Sequence, residues 1–319
     1  MLSLSIVVTY YKGKEFILNC IDSIQKSHHA SSKLIDYEVI IVIDSMEDAD
    51  SIELLLLNTY DDLNLIVIKN YKNLGVSTSR NNGLQKVKHQ FFTIIDQDDY
   101  VNIEYFETIE KELDSAYPIH IINGVIRYMD ENIEVPIYTF TPRFKFKNLI
   151  LKDTFIYTPG LIIFNTSIID SNNLFIDTSE KYKGCDDLAA YLSLLLKFED
   201  KIKFKYINSK LFVYCLHSNN YSNNKEEMIL SSIAVLNYTA KLKSATAYYL
   251  RLINTSLGMQ EFYLFRNVKK YSLPKLFVKF PNQFFYHYLI SLMSIDHTNK
   301  IILKIRYYVM KKIKQIKSN

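Results

Sequence analysis

The chain has no tryptophan and only three cysteines, and no apolar stretch reaches the roughly 18 residues of a membrane-spanning helix. Cys20, Cys185 and Cys215 are odd in number and far apart, and no CxxC pair occurs. A disulfide framework and a structural zinc site are therefore both excluded as organising elements, and a reducing compartment is expected. The opening MLSLSIVVTYYKGKEF lacks the basic start and long apolar core of a secretory signal, so the expected location is cytoplasmic. No internal repeat is visible. What is present is ordinary for a globular protein: 319 residues, 48% hydrophobic and 23% charged. That length suits one large domain with an appendage, or two modest ones.

The net charge of +4 conceals an asymmetry. Residues 262–319 carry 12 Lys and Arg against the single acid Asp296, whereas residues 1–261 carry 26 basic and 33 acidic groups. An acidic body with a basic tail suggests two separate tasks.

The first 125 residues alternate short apolar runs with helical patterns. LSIVVT, YEVIIVI, LNLIVIK and QFFTII read as buried strands. Between the first two, Phe16, Ile17, Cys20, Ile21 and Ile24 recur at helical spacing; SIELLLLNTY and VSTSRNNGLQKV supply further helices. Such alternation predicts βαβ units and a largely parallel sheet. Ligands of such sheets bind beyond the carboxyl ends of the strands, which places residues 9–12, 44–48 and 96–99 on one rim. After Asn123 the pattern changes. VIRYMDENIEVPIY predicts an antiparallel hairpin, TPGLIIFNTSIID a strand followed by a short helix, GCDDLAAYLSLLLKF a helix, and KFKYINSKLFVYCLHSNN a strand. Past Lys225 only helical signals remain.

FFTIIDQDDYV drives an apolar strand into Asp96, Asp98 and Asp99. Ionised carboxylates are costly to bury, so they should emerge at the strand end, where water or a hard cation neutralises them. A polar turn capping the next helix is the alternative. Asp44, after the second strand, could accept an N–H from a base or merely cap a loop. Arg80, within NLGVSTSRNNGL, could reach a phosphate or fix a carboxylate.

In this order and at these spacings, SIVVTYYKGKEFILNCIDSI, EVIIVIDS, NLGVSTSRNNGL and FFTIIDQDDYV resemble the family 2 glycosyltransferases of the GT-A fold, over roughly residues 3–220. The resemblance extends to enzymes of bacterial surface-polysaccharide and teichoic-acid synthesis. It implies an α/β, Rossmann-like fold with a mostly parallel central sheet, flanking helices and a helical C-terminal extension. The implied division is a catalytic domain over 1–222, with a nucleotide-binding half (1–123) and an acceptor half (124–222), followed by a helical region over 223–319.

The resemblance also implies roles. Thr9, Tyr10 and Asp44 would hold the uracil of a UDP-sugar, Asp96 with Gln97 beside it would meet the ribose region, and Arg80 would lie close to the nucleotide. Asp98 would bind Mn²⁺ or Mg²⁺ bridging the diphosphate. His217, after the last strand, would be a further metal ligand, since neutral imidazole suits Mn²⁺. Asp186 and Asp187 match the family's acidic pair; Asp187 would be the general base of an inverting hexosyl- or N-acetylhexosaminyl-transfer, with Asp186 as the alternative. Two acids opening a helix also favour its dipole. Two departures stand out: Thr9 replaces the usual proline, and Ile43 replaces the first acid of the pair after the second strand. They leave open a second reading, a catalytically silent domain that binds nucleotide or acts as a scaffold.

NKIILKIRYYVMKKIKQIK places Ile301, Ile302, Ile305, Tyr308, Val309, Ile313 and Ile316 on one helical side and Lys300, Lys304, Lys311 and Lys314 mainly on the other. Such a helix suits an anionic membrane surface, so the enzyme is expected to sit peripherally at the inner face of the cell membrane. Packing on the catalytic domain is the alternative, and the C-terminal helices could equally support a homodimer. No recognition motif accompanies the charge, so a nucleic-acid partner is not expected. The acceptor implied is a surface glycan or lipid-linked saccharide.

Overall fold

The computed structural model describes residues 2–269 apart from 33, 152–154 and 180, together with 272, 279 and 280. The basic segment 299–317 lies outside the described residues. The chain divides into two compact units that interleave in sequence. One comprises Met1–Thr141, Ile156–Phe175 and Lys203–Leu216; the other comprises Pro142–Phe155, Ile176–Ile202 and His217–Asn319.

The first unit is built as the apolar runs predict. Strand β1 (Leu2–Tyr10) leads into helix α1 (Lys14–Ala30), and β2 (Ile35–Ile43) into α2 (Ala49–Thr59). Then come β3 (Leu65–Lys69), α3 (Val76–Leu84), β4 (Phe91–Asp96), the short β5 (Tyr100–Val101) and α4 (Tyr105–Glu112). Strands β1, β2, β3 and β4 pair in parallel, in the order β3-β2-β1-β4. β-Branched residues at β1 and β2 are buried on both faces, as a strand covered on both sides by helices requires. Ile17, Cys20, Ile21 and Ile24 form the buried stripe of α1.

The remaining strands turn the sheet mixed. β6 (Ile119–Tyr128) and β7 (Ile133–Pro136) form the expected hairpin, with Asn132 at φ 51° in its turn. After α5 (Phe146–Ile150), which belongs to the second unit, β8 (Ile162–Asn165) runs antiparallel to both β4 and β6. The short helix expected after β8 is a turn instead. Asn165 Oδ1 accepts from the Ser167 N–H and hydroxyl, and this local bonding competes with a helix. The last strand, β9 (Phe204–Leu216), pairs with β6 in parallel and with β5 in antiparallel fashion.

The second unit is helical among the described residues. α6 (Asp186–Lys197), α7 (Lys225–Ala240) and α8 (Ala247–Tyr263) accompany α5. Phe146 packs edge-on against Tyr249 at 4.8 Å, and Ser256 Oγ donates to the Ile150 carbonyl. No helix among the described residues is long and apolar enough to cross a membrane.

Two packing details carry predictions. A Cβ on Gly83 would fall 2.4 Å from Val7 Cγ1 and 3.0 Å from Val42 Cγ2, so α3 lies directly on β1 and β2. Gly83→Ala would gain about 1 kcal/mol of helix propensity. Overpacking a buried site costs about 1–3 kcal/mol, so the clash should outweigh the gain. A lower urea midpoint at unchanged m-value is the expected result.

His120 on β6 is fully buried; its Nε2 accepts the Asp114 N–H at 3.0 Å, and its ring meets Phe91 edge-on. Burial, reinforced by the Lys205 charge, pushes its pKa down to about 4. The unfolded chain therefore binds the proton more readily at intermediate pH. Stability should be fully present above about pH 6.5 and fall as pH drops towards 4, by about 2 kcal/mol between pH 7 and 5. Denaturant titrations at the two pH values read this slope, and His120→Gln, which keeps an acceptor, should flatten it.

Candidate active site

The four parallel strands end together. Tyr10 lies opposite Ile43, Ile43 opposite Lys69, and Thr9 opposite Asp96. Thr9, Tyr10, Asp44 and Asp96 thus share one rim at the carboxyl ends of the strands. The Asp44 N–H donates to the Tyr10 carbonyl at 2.8 Å, which locks the two strand exits together.

The side chains on this rim have distinct surroundings. Tyr10 is turned inward and its hydroxyl donates to Asp48 Oδ2 at 2.5 Å. Burial and then that bond raise its pKa to about 12, so the phenol stays protonated at neutral pH. Gln97 clasps the loop after β1: its Oε1 accepts the Tyr11 N–H and its Nε2 donates to the Tyr11 carbonyl, both at 2.9 Å. A Cβ on Gly13 would fall 2.5 Å from Gln97 Nε2, so a glycine there lets the clasp close. The carboxylate of Asp44, 5% exposed, accepts three bonds from within the chain: Asn70 Nδ2 and the Leu74 N–H on Oδ1, and the Gly75 N–H on Oδ2.

Arg80 fixes a carboxylate. Its guanidinium donates to Asp96 Oδ1 at 2.6 Å and lies 5.1 Å from the centre of the Phe175 ring. Asn81 holds that phenylalanine by both its backbone N–H and carbonyl, at 3.0 and 2.7 Å. The Arg80 side chain is 6% exposed and that of Asp96 27%, so one end of the pair is buried and the other reaches the rim. Removing Asp96 would take a short charged contact from a buried guanidinium, a destabilising change.

The three aspartates after β4 separate by burial. Asp96 and Asp98 are half-buried, whereas Asp99 is 1% exposed. Asp99 accepts from Thr158 Oγ1 at 3.0 Å and from the Cys215 N–H at 2.9 Å, tying the acidic turn to β9. Burial, then the charges of Asp98 and Asp96, push the Asp99 carboxyl well above the ordinary carboxylate range. Reasoning from sequence missed this anchoring role. Asp99 lies in the turn between β4 and β5, and no local pattern in the sequence separates it from Asp96 and Asp98.

In the second unit, α6 opens on the acidic pair. Asp186 is 6% exposed and Asp187 half-buried, with the Leu188 N–H bonded to Asp187 Oδ1 at 2.7 Å. The turn before the helix is held by α7: the Gly184 N–H donates to Ser231 Oγ, and Cys185 Sγ lies 3.4 Å from Ser232 Oγ. Cys185 there adopts φ 62°, the left-handed region. His217 accepts the Asn219 N–H on Nδ1 at 3.2 Å, which puts the ring proton of the neutral form on Nε2. Metal ligation through Nε2 would require that bond to be exchanged.

Among the described residues, no three His, Cys, Asp or Glu side chains stand close enough to cage a metal ion. Mg²⁺ and Mn²⁺ need no such cage, since they take one or two carboxylates and complete their shells with water and phosphate oxygens. A half-buried, oxygen-only donor such as Asp98 fits an ion that is held jointly with a diphosphate.

A parallel half-sheet with an acidic turn at its rim, continued by a mixed half, is the GT-A glycosyltransferase architecture. The glycosyl transferase family 2 signature matches residues 5–172, just over half of the chain. The chain belongs to that family. It is 26% identical over 205 residues to the teichoic acid poly(glycerol phosphate) polymerase of Staphylococcus epidermidis, a match covering 62% of this chain and 27% of that protein. The chain spans about half the length, or less, of the curated relatives it matches. Among solved structures, TarS 1–349 of S. aureus superposes with a TM-score of 0.58 at 18% identity, covering 86% of this chain and 77% of that 1–349 chain. TarS has also been solved with UDP and with UDP-GlcNAc. The mannosyltransferase PcManGT of Pyrobaculum calidifontis, in complex with GDP-Man and Mn²⁺, superposes with a TM-score of 0.51 at 13% identity, covering 98% and 86% of the two chains. At these identities the likeness concerns the fold.

Proposed function

We propose that the chain is an inverting, metal-dependent glycosyltransferase that moves a sugar from a UDP-sugar to a hydroxyl of a surface-glycan or lipid-linked saccharide. The observation that carries this reading is the Arg80–Asp96 pair beside half-buried Asp98, at the carboxyl ends of parallel strands in a family 2 chain. Thr9, Tyr10, Asp44, Arg80, Asp96 and Gln97 form the donor side, and Asp98 would hold Mn²⁺ or Mg²⁺, which when bound would supply positive charge to the departing diphosphate.

The chain's own residues supply the rest. Asp96, held by Arg80, presents its second oxygen to the ribose hydroxyls. Asp187 accepts the proton of the acceptor hydroxyl as that oxygen attacks the anomeric carbon from the face opposite UDP. Asp187 is preferred to Asp186 because it is the more exposed of the two, and a base must be reached by its substrate. Uracil as the base is supported by the two TarS complexes, and a cell-envelope acceptor by the teichoic acid polymerase. The same reading puts the enzyme at the cytoplasmic face of the membrane, with segment 299–317 as its basic contact.

Calorimetric titration of UDP, with and without Mn²⁺, tests this reading, followed by a screen of UDP-sugars for UDP release. Metal-enhanced UDP binding and slow hydrolysis of one UDP-sugar are expected. Absence of UDP binding under both conditions would overturn the donor assignment.

A further inference from the structure

Strand β3 ends the sheet, with β2 on one side and no strand on the other among the described residues. Two bonds show which of its backbone groups face outward. The Val39 N–H donates to the Asn64 carbonyl, and the Asn70 N–H to the Ile43 carbonyl. With Val39 opposite Leu65 and Ile43 opposite Lys69, the even-numbered residues bond inward to β2. The N–H and carbonyl groups of Leu65, Val67 and Lys69 therefore point outward along the edge.

Edges of this kind are usually blunted by a proline, a bulge or a charge within the strand. β3 reads LIVIK, pairs with β2 without a bulge, and carries its one charge at the last position. Even that charge is used within the chain, since Lys69 Nζ contacts Asp50 and Glu53 of α2 at 2.9 and 2.6 Å. By helical spacing Leu54 and Leu57 lie on the same side of α2 as those two acids, and they are 62% and 46% exposed. An apolar ridge thus runs beside an unblunted edge.

Charge indicates the occupant. Asp61 and Asp62 precede β3, Tyr71 and Lys72 follow it, and all four are exposed. One end of the edge is acidic and the other basic, so the strand is complementary to an antiparallel copy of itself. We propose that two copies of this chain associate through β3, as an isologous dimer with its twofold axis at Val67. Val67 then exchanges both backbone bonds with the partner's Val67, and Leu65 does so with the partner's Lys69, so that every outward N–H and carbonyl of β3 is paired. Each acidic end meets the basic end of the other copy, and the symmetry repeats that contact. A register displaced by one residue would set outward groups opposite groups already bonded to β2. The contact uses no residue of the C-terminal helices and is independent of the donor and acceptor assignments.

The test is sedimentation velocity of the full chain over a micromolar concentration series, together with a cysteine placed on the axis. The wild type should pass from monomer to dimer as concentration rises. Val67→Pro removes an outward N–H where an edge strand tolerates proline, so the protein should fold and dimerise about tenfold more weakly, or worse. Val67→Cys should give a disulfide-linked dimer under mild oxidation, because the paired Cα atoms lie about 5.5 Å apart, within the span of a disulfide. Leu65→Cys should not, because its two copies stand four residues apart in register, about 14 Å. The wild type, oxidised alike, accounts for Cys20, Cys185 and Cys215.

A wild type that stays monomeric throughout would overturn the inference. So would a dimer unaffected by Val67→Pro, or one in which Leu65→Cys cross-links as readily as Val67→Cys, since either result assigns the contact to another surface or register. If Val67→Pro does not fold, the two cysteine variants decide alone.

Discussion

Replacing Asp187 by asparagine should lower kcat by about 10²–10⁴ while leaving UDP affinity within a factor of about two. The substitution conserves shape, and the amide oxygen can still accept the Leu188 N–H that Asp187 Oδ1 accepts now. What it removes is a group able to take a proton at neutral pH. A general base acts on the acceptor hydroxyl after the donor is bound, so its loss should fall on kcat and not on donor binding. Asp186→Asn is the internal control. Asp186 is nearly buried at the start of α6, where a negative charge favours the helix dipole, so its loss should appear mainly as reduced stability. Steady-state kinetics with the active UDP-sugar, paired with UDP calorimetry, separates the two residues. Full turnover in Asp187→Asn with a large loss in Asp186→Asn would reverse the assignment.

The parts of the molecule that could be read from sequence are those whose cause is local. The stripe Ile17, Cys20, Ile21, Ile24 marks α1 because a helix must bury one face, and the alternation around residues 125–136 marks a hairpin because a turn returns the chain on itself. The rim was legible for a similar reason: strand ends follow directly from strand positions, and Thr9 does meet Asp96 in register. What was not legible depends on partners far away in the chain. Asp99 looks like Asp96 and Asp98 until Thr158 and the Cys215 backbone are brought to it from 59 and 116 residues away. Gln97 reads as a spacer between two acids, yet its amide holds the Tyr11 backbone across 86 residues. Asp44 reads as an acid open to a base, and its carboxylate is instead taken up by N–H groups some 30 positions later, two of them backbone groups that no side-chain pattern reveals. The interleaving of the two compact units is a further case. Residues 142–155 and 176–202 leave the first unit and the chain returns to it, and no shift of composition marks those exchanges.

Asp98→Asn should produce the other large effect, on a different observable. The wild type should bind UDP more tightly when Mn²⁺ is present, and the variant should show no such difference. An amide offers the ion a neutral oxygen where the carboxylate offered a charged one, and hard cations discriminate strongly between the two. In turnover the loss should reach about 10²–10³ in kcat/KM, the scale expected when several kcal/mol of charge stabilisation at a leaving group is withdrawn. Asp99→Asn distinguishes loss of a ligand from general damage to the turn. Asp99 is buried and bonded to Thr158 and to the Cys215 N–H, so replacing it should lower the unfolding temperature. A folded Asp99→Asn protein should keep the Mn²⁺ effect on UDP binding, because Asp98 is still present at the rim. Equal loss of the Mn²⁺ effect in both variants would mean that the turn acts as one unit, and that the ion cannot be assigned to Asp98 alone. Retention of the effect in Asp98→Asn would place the ion on other oxygens altogether, and Asp96, with one oxygen held by Arg80 and the other at the rim, would become the candidate to examine next.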